Sequence, residues 1–468
     1  MQIDCILQYN LCRNKHHITM EQGITILDYL QFDTPTIEQK SALVGMSDFV
    51  SEENGDDFFI LSGAAGTGKT SITTALIGYL NSRSIFYKIA APTGRAARIL
   101  GRKSKTVNST IHSLIYKTHV NSETGEVHFT LKENEVDDFS IYIIDEASMI
   151  NSVKVRSEDS LFSSDDSLLN DLIQFVKSGN SDNKIIFLGD ENQLPPIHEE
   201  DSKALSRTYL LNKFNLKGSS YHLTEVKRQE DGSYILKNAT ALREAIEIHQ
   251  QQFYPTNLGK QSYWQATDSY IKDYQQNGFD HIVSIGATHK MNMAFNKTVR
   301  SKIYGDRAKV LEQDDLLILN QTWKRNGVNL YSGDHIIVKS VDLGQVEFVA
   351  GLKFVPVSIS YLDLEDEEQV LDDYFLIDSI MEPKGISREL EGKLRLERYK
   401  KNKVYRESGN PSDDRYVGAI RATYGHSITC HKAQGGEWNK VLLNSYYMPS
   451  LRYQYTAITR AKRELILY

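Results

Sequence analysis

One stretch of eight residues, GAAGTGKT at Gly63–Thr70, restricts the possible folds of this chain more than any other feature. It matches in full the pattern G-x-x-x-x-G-K-[ST] of a phosphate-binding loop. The apolar run Phe58–Gly63 before it predicts a buried strand, and the pattern after it predicts a helix over about 69–80. A chance match is the alternative, but a strand before and a helix after are the context in which such a loop binds nucleotide phosphates.

The chemistry of this loop predicts that the chain binds a nucleoside triphosphate, ATP, together with Mg²⁺. The backbone N–H groups of the turn surround the phosphates, and Gly66 and Gly68 let the backbone approach because they carry no Cβ atom. Lys69 neutralises the β- and γ-phosphates, and the hydroxyl of Thr70 ligates the metal. We therefore assign the nucleotide site to the whole loop, namely Gly63, Ala64, Ala65, Gly66, Thr67, Gly68, Lys69 and Thr70.

An acidic segment, IYIIDEAS, contains another predicted strand at Ile141–Asp145. An Asp at the end of a buried strand beside a phosphate-binding loop holds Mg²⁺. We therefore assign Asp145 to the metal and Glu146 to the general base that polarises the attacking water. The alternative is that both are surface acids. The pair favours hydrolysis over a simple kinase, because a kinase must exclude water from its acceptor pocket.

Uninterrupted apolar runs alternate with helical patterns along most of the chain, which predicts parallel sheets covered by helices on both faces. After the loop, the predicted strands of the first half are Tyr87–Pro92, Ile141–Asp145 and Lys184–Asp190. A second unit of the same kind begins at His281–Lys290. The run Lys440–Tyr447 and the final RELILY predict further strands of that unit.

Two segments interrupt this alternation. Residues 116–132 predict two short strands around the turn NSETGE, which is a β-hairpin inserted in the first unit. From about 331 to 415 the pattern changes to strands with two-residue alternation, followed by the highly charged and helical stretch Arg388–Glu407. This second segment predicts a small β subdomain inserted into the second unit.

Composition sets the broad class of the protein. The chain has 468 residues, of which 40% are apolar and 25% charged, and this fits a globular protein of about two to four domains. It contains neither an apolar run of the roughly 18 residues that span a bilayer nor an N-terminal signal pattern. The sparse cysteines Cys5, Cys12 and Cys430 predict no disulfide framework, so we expect a reducing, cytoplasmic location. The net charge of −7 weighs mildly against a nucleic-acid partner, although a binding track is local.

Seven motifs, in the same order, resemble those of superfamily 1 DNA helicases of branch B, the RecD- and Dda-like group. They are TIEQK, APTGRAA, STIHSL, GDENQLPPI, LTEVKRQ, YGHSITCHKAQGGEW and YTAITRAK. The resemblance covers the chain from about Thr34 to Tyr468. Cys430 departs from the aliphatic residue that the family often has before the histidine of its motif.

For the nucleotide, the resemblance implies that Gln39 reads the adenine edge and that Gln193 couples the γ-phosphate to the DNA groove. It also implies that Arg228 and Arg460 reach the γ-phosphate from the first and the second unit, so that hydrolysis needs a closed cleft. An arginine in such a position is worth roughly 10³–10⁵ in rate. The implied catalytic residues are Lys69, Glu146, Gln193, Arg228 and Arg460, and the implied nucleotide contacts outside the loop are Gln39, Gly435 and Glu437.

For DNA, the resemblance implies a track across both units, with contacts from Pro92, Thr93, His112, Thr429 and His431. The hairpin at 116–132 corresponds in position to the pin with which the family splits a duplex. We expect Phe129 at its tip to stack on a base, a contact worth roughly 1–3 kcal/mol. The alternative is that Phe129 packs the hairpin onto its own domain.

The fold that the resemblance implies is α/β, with two RecA-like parallel-sheet domains in tandem. The first carries a small β-hairpin insertion and the second an SH3-like β insertion. We place an N-terminal extension at 1–33, the first domain at 34–230 with its hairpin at 116–132, the second domain at 231–330 and 416–468, and the SH3-like subdomain at 331–415. The chain ends directly after the motif that contains Arg460, so no appended nuclease is expected.

The leading hypothesis is an ATP-dependent DNA helicase that translocates on single-stranded DNA and separates duplexes, with a 5′-to-3′ polarity that only the resemblance implies. The alternative is a DNA-dependent ATPase that translocates and remodels protein–DNA complexes without unwinding, and RNA as the track is a third option. The expected partners are single-stranded DNA and DNA forks, with no membrane contact. Candidate protein partners are single-stranded-DNA-binding, replication and repair proteins, and the resemblance implies a monomer.

Overall fold

The computed structural model describes residues 25–32, 34–104, 109–121, 123, 127–154, 162–164, 166–226, 233–305, 308–363, 365, 367–382 and 385–468. Its main elements are two parallel sheets, one in each half of the chain, and an antiparallel sheet inserted in the second half. The predicted α/β class is therefore confirmed. None of the described helices is both long enough and apolar enough to cross a membrane.

The strands of the first half are β1 (Phe58–Gly63), β2 (Phe86–Ala91), β3 (Ser109–Thr110), β4 (Tyr116–Val120), β5 (Val127–Leu131), β6 (Ser140–Ile144), β7 (Phe162–Ser164), β8 (Lys184–Gly189) and β9 (Gly218–Leu223). Six of them form a parallel sheet in the order β3-β2-β6-β8-β1-β9. Strand β1 is buried along its whole length. Phe58 and Ile60 pack in the core on one face and Phe59 and Leu61 in the core on the other, so both faces of the sheet are covered.

The helices of the first half are α1 (Ile37–Phe49), α2 (Lys69–Ser82), α3 (Gly94–Ser104), α4 (Ile111–Ile115), α5 (Leu168–Gly179) and α6 (Arg207–Phe214). Short 3₁₀ turns lie at Ile26–Tyr29, Ala147–Met149 and Lys203–Leu205. Helix α1 begins with a capping box, in which Thr36 and Gln39 each satisfy the other's backbone N–H group. This cap fixes the start of α1 beside the phosphate-binding loop.

The predicted hairpin is present as strands β4 and β5, which pair antiparallel from Tyr116–Leu131 to Val120–Val127. Strand β7 adds to the free edge of β5 in a parallel direction and makes a three-stranded sheet. The sequence did not predict this third strand, because β7 is only three residues long and lies 31 positions after the end of β5.

The second half contains the strands β10 (Gly259–Lys260), β11 (Ile282–Gly286), β12 (Leu316–Leu319), β13 (Trp323–Arg325), β14 (Val328–Leu330), β15 (His335–Val341), β16 (Glu347–Val349), β17 (Leu352–Leu362), β18 (Glu368–Leu376), β19 (Ala422–Tyr424), β20 (Ser427–Thr429), β21 (Trp438–Leu443) and β22 (Ala461–Leu467). Its helices are α7 (Tyr234–Glu247), α8 (Tyr263–Asn277), α9 (His289–Tyr304), α10 (Asp378–Met381), α11 (Arg388–Lys401), α12 (Lys403–Ser408), α13 (Cys430–Ala433) and α14 (Leu451–Ile458), with a 3₁₀ turn at Pro411–Asp413. The second parallel sheet has the order β10-β22-β21-β11-β20.

The inserted antiparallel sheet has the order β16-β17-β15-β12-β19, and β18 pairs with β17. It is wider than the predicted segment 331–415, because the strands β12 and β19, which lead into and out of that segment, also belong to it. The charged stretch is helical as predicted and forms α11 and α12. A buried ionic group, in which Glu391 lies between Arg395 and Arg421, ties α11 to the chain just before β19.

Candidate active site and DNA track

The phosphate-binding loop joins β1 to α2 at the carboxyl edge of the first sheet. Gly66 and Gly68 have φ angles of +85° and +92°, a backbone conformation that other residues rarely adopt. The ammonium group of Lys69, at the start of α2, donates to the carbonyl oxygens of Gly63 and Ala64 at 2.5 and 2.9 Å. The lysine therefore lies inside the loop, where a phosphate chain would be bound.

Gln39 braces this loop from α1. Its amide nitrogen donates to the carbonyl of Thr67 at 2.9 Å, and its amide oxygen accepts from the backbone of Thr36 at 2.9 Å. The side chain is only 2% exposed, and a Cβ atom added to Gly68 would lie 2.6 Å from its amide nitrogen. In this arrangement the amide nitrogen holds the loop and the amide oxygen closes the cap of α1, and the role of Gln39 in reading adenine stays a prediction.

The acidic pair lies on the neighbouring strand end, after β6. Glu146 has a φ of +50°, which is strained for a residue with a side chain, and its backbone N–H donates to the Asp145 carboxylate at 2.9 Å. Desolvation in the cleft and the adjacent Asp145 raise the pKa of Glu146 to about 7, while the cations Arg460 and Lys69 act in the opposite direction. A carboxylate with a pKa near neutral pH suits a general base.

Arg460 reaches this acidic pair from the second half of the chain. It follows α14, is 3% exposed, and donates to the carbonyls of Thr456 and Gly436 and to the hydroxyl of Thr459 at 2.9 to 3.1 Å. Its electrostatic interaction with Glu146 places the guanidinium group at the cleft between the two sheets. The predicted pairing of Lys69 and Glu146 on one wall with Arg460 on the other is therefore present.

The other predicted arginine, Arg228, lies outside the described residues. Gly435 and Glu437 follow α13 on the same side of the cleft as Arg460, and Gly435 has a φ of +75°. Glu437 and Ala65 line a common cleft of about 1230 Å³. The loop of the first unit and the motif of the second thus face each other across one space.

The residues assigned to Mg²⁺ have suitable donor chemistry. A hydroxyl and a carboxylate are hard oxygen ligands, and Mg²⁺ is commonly held by one or two such groups together with water and substrate phosphates. The proximity of Asp145 and Glu146, which raises the pKa of Glu146, makes the acidic edge favourable for a cation. Thr70 and Asp145 therefore fit the metal.

The GDENQLPPI loop crosses from the first unit into the core of the second. Leu194 is 9% exposed and packs among the residues around the second sheet. Its backbone N–H donates to the Thr456 hydroxyl at 2.9 Å, and its carbonyl accepts from the Gln434 amide at 3.0 Å. The Asp190 carboxylate accepts from the Tyr455 hydroxyl at 2.8 Å. Sequence reasoning named Gln193 but missed Leu194, although an apolar residue between polar residues and two prolines is a signal for a buried anchor.

Gln193 itself is 4% exposed, and its amide oxygen is buried without a hydrogen-bond partner among the described residues. A buried acceptor of this kind costs roughly 1–3 kcal/mol unless a partner binds. The position of Gln193, between the Asp190 turn and the Leu194 anchor, is compatible with the predicted coupling role, which remains a prediction.

The predicted DNA contacts lie on two neighbouring elements. Pro92 and Thr93 precede α3, and the Thr93 hydroxyl accepts the Ala96 N–H at 3.3 Å. Thr429 caps α13, and a Cβ atom added to Gly435 just after this helix would lie 3.2 Å from Ala96. The start of α3 and the end of α13 therefore meet across the two units.

His112 and Phe129 occur together, but not at the tip of the hairpin. Phe129 lies in the middle of β5, opposite Thr118, with its ring stacked at 5.4 Å on Tyr116 and 5.9 Å from His112. The prediction that Phe129 is a tip residue is therefore wrong. The last pair before the turn is Val120–Val127, and Phe129 lies two residues further from the turn than Val127. The ring packs the hairpin onto the first unit, whereas His112 and His431 are exposed.

The inserted region contacts the first unit close to these residues. Arg98 of α3 forms an ion pair with Asp334 at 3.2 Å and donates to the carbonyl of Asp363 at 2.9 Å. Lys324 on β13 donates to the Ser113 hydroxyl beside His112 at 2.8 Å. The insertion thus reaches the same two segments, APTGRAA and STIHSL, to which DNA contacts were assigned.

In comparisons with known proteins, two family models match separate parts of this chain. A family model described as an AAA domain matches residues 46–256, and one described as a UvrD-like helicase C-terminal domain matches residues 424–468. The ATP-dependent RecD2 DNA helicase of Deinococcus radiodurans is 29% identical over 143 residues, which are 31% of this chain and 17% of that protein. The ATP-dependent DNA helicase dda of Enterobacteria phage T4 is 26% identical over 308 residues, or 62% of this chain and 61% of that protein.

The matched regions thus cover less than two thirds of either of these curated relatives. Among solved structures, the Pif1 helicase of Candida albicans superposes with a TM-score of 0.51 at 15% identity, covering 93% of this chain and 94% of that one. At this identity the similarity concerns the fold alone. It confirms the predicted tandem of two RecA-like sheets.

Proposed function

We propose, from its relationship to the branch B helicases of superfamily 1, the group of RecD and Dda, that this chain is a helicase that hydrolyses ATP to translocate on single-stranded DNA and separate duplexes. The observation that carries the proposal is the cleft that joins Lys69 and Glu146 of the first unit to Arg460 of the second. A site that needs both walls converts nucleotide turnover into relative motion of the units.

Each side chain of the cleft has a role in this proposal. Lys69, released from the carbonyls of the loop, binds the β- and γ-phosphates. Glu146 accepts the proton of the attacking water, and Arg460 stabilises the negative charge that develops on the transferred phosphoryl group. Mg²⁺, held by Thr70 and Asp145, would neutralise phosphate charge when bound.

The motion reaches the DNA track through short connections. The Gly436 carbonyl accepts from Arg460, and the adjacent Gly435 packs against Ala96 of α3. The Leu194 anchor fixes the loop of Gln193 to α14, which carries Thr456. A change in the cleft therefore shifts Thr429 and His431 relative to Thr93, and alternate grips on a strand become steps.

A translocase that remodels protein–DNA complexes without unwinding is the second candidate function. The observation that favours it is the position of Phe129, whose ring stacks on Tyr116 within the hairpin and does not lie at its tip. Phe129→Ala is now expected to loosen the packing of the hairpin on Tyr116. Equal loss of duplex unwinding and of streptavidin displacement from single strands would show that the hairpin has no separate role in strand separation.

The deciding experiment is unwinding of forks that carry only a 5′ or only a 3′ single-stranded tail, with ATP and Mg²⁺. We expect unwinding from the 5′ tail and none from the 3′ tail, by a chain that acts as a monomer. Matched forks with an RNA tail test the track, and Lys69→Ala is the inactive control. Streptavidin displacement without unwinding of any fork would favour the translocase, and failure of DNA to stimulate ATP turnover would refute both.

A further inference from the structure

Lys432, the residue after the predicted DNA contact His431, is a partly buried cation on α13. Its ammonium group donates to the Asn320 amide oxygen at 2.7 Å. In the part of the chain that the structure describes, no carboxylate forms an ion pair with it, and burial alone lowers its pKa to about 8. A desolvated ammonium group that lacks a counter-charge is costly, so the site gains free energy when an anion enters.

Asn320 positions Lys432 from the inserted sheet. Its amide oxygen accepts from Lys432 and, at 3.4 Å, from the Thr423 hydroxyl. Its amide nitrogen is buried and has no hydrogen-bond partner among the residues that the structure describes. Since Asn320 directly follows β12, its hydrogen bond with Lys432 joins the second parallel-sheet unit to the inserted sheet.

The crevice beside Lys432 has no acidic group among its described lining residues. Its lining includes His289, Thr423, Thr429 and Lys432 together with apolar and amide side chains. The Thr429 oxygen accepts the backbone N–H of Lys432 as the cap of α13, which leaves its hydroxyl hydrogen able to donate outward. Lys432 and Thr429 therefore line one small space together, and Asn320 lies beside it through its hydrogen bond to Lys432.

We propose that Lys432, held in place by Asn320, binds one backbone phosphate of a single strand, next to Thr429. This inference rests on the proposed function and specifies one subsite of its track. The phosphate would be held between the second unit and the inserted sheet, so that the insertion takes part in gripping the strand. The competing interpretation is that the Lys432–Asn320 hydrogen bond only links α13 to β12.

Two substitutions separate these interpretations. Lys432→Gln removes the charge, and we expect it to weaken binding of a fluorescent oligothymidylate about ten-fold, the effect of removing one hydrogen bond to a charged group. The slope of log affinity against log salt should fall in magnitude by about 0.7, the share of the slope that one neutralised phosphate contributes on a single strand. Lys302→Gln, at an amine paired with Asp268 away from this crevice, is the matched control and should change neither quantity.

Asn320→Asp keeps the shape of the side chain and places a carboxylate beside Lys432. If the hydrogen bond only links two elements, this change should preserve or raise the unfolding temperature and leave DNA affinity unaltered. If Lys432 binds a phosphate, the unfolding temperature should again be preserved or raised. DNA affinity, however, should fall at least as much as in Lys432→Gln, because the carboxylate both neutralises the lysine and repels the strand. This variant also decides the matter if Lys432→Gln does not fold.

Two further measurements test whether the bound phosphate belongs to a strand, and whether the subsite can fail while the proposed function holds. Inorganic phosphate, compared with chloride at equal ionic strength, should not compete with the oligonucleotide at millimolar concentration if a strand is the ligand. Wild-type protein that binds no oligothymidylate would refute the proposed function and this subsite together. Wild-type binding with unaltered affinity and salt slope in both variants would refute the subsite alone.

Discussion

Shortening Leu194 to alanine tests whether the anchor of the GDENQLPPI loop holds the two units together. The side chain is 9% exposed and packs in the core around the second sheet. The change removes three carbon atoms, which at about 0.8 kcal/mol each amounts to about 2.4 kcal/mol of transfer free energy. A cavity adds to this, within the roughly 2–5 kcal/mol range of buried Leu→Ala changes.

Urea unfolding followed by intrinsic fluorescence measures this decrease in stability. Leu211→Ala is the matched control, because Leu211 is 43% exposed on α6 and the same substitution there should cost no more than about 0.5 kcal/mol. Thr456→Val removes the acceptor of the Leu194 N–H at nearly constant shape, at a cost of roughly 1–3 kcal/mol. Because the two residues are in contact, the double variant should be destabilised by less than the sum of the two single effects.

The same variants report on function. A loosened anchor should lower the number of base pairs unwound per ATP hydrolysed, since Gln193 would no longer be fixed to α14. Equal unfolding free energies for Leu194→Ala and Leu211→Ala would refute the burial argument. Strict additivity with Thr456→Val would show that the Leu194 side chain and the hydrogen bond to Thr456 stabilise the loop independently.

Three further outcomes follow from particular side chains. Lys69→Ala should abolish ATP turnover while circular dichroism and the unfolding temperature remain those of wild type, and normal turnover would remove the site assignment. Burial lowers the pKa of His335 and of His426 from 6.5 to about 3, so the unfolded chain takes up protons that the folded chain does not. The free energy of unfolding should therefore fall as pH drops from about 6.5 toward 3. The variant His426→Gln should make this pH dependence weaker in urea titrations. Cys430 is 1% exposed and burial raises its pKa to about 12, so in a variant whose only cysteine is Cys430 the thiol should react with iodoacetamide only after unfolding, and rapid native labelling would contradict its burial.

The parts of the site that the sequence predicted are those whose signals are local. The loop Gly63–Thr70 and the strand that ends at Asp145 follow from an apolar run, glycines and a charged residue within a few positions of one another. The resemblance to the branch B helicases, which the RecD2 and Dda matches confirm, added the order of the motifs and placed Arg460 opposite Glu146.

The features that the sequence did not predict depend on partners far along the chain. Strand β7 is visible only through its pairing with β5, and the Leu194 anchor only through Thr456, which lies 262 positions later. The turn NSETGE of the hairpin was predicted where the strands leave room for it, but Phe129 was misplaced because the sequence does not show which strand residues beside a turn pack inward. Such properties are fixed by packing between elements, which local periodicity does not record.

Helix α3 lies between the insertion and the second sheet and contacts both. Toward the insertion it has the Arg98–Asp334 ion pair, with both side chains largely buried, and a Gly94 whose Cβ would collide with Tyr331. Toward the second sheet the Arg95 guanidinium stacks over the Trp438 ring at 4.4 Å, and Ala96 packs against Gly435. A movement of one sheet relative to the other would therefore have to slide or break the Arg95–Trp438 stack, so that α3 links the position of the insertion to the state of the cleft.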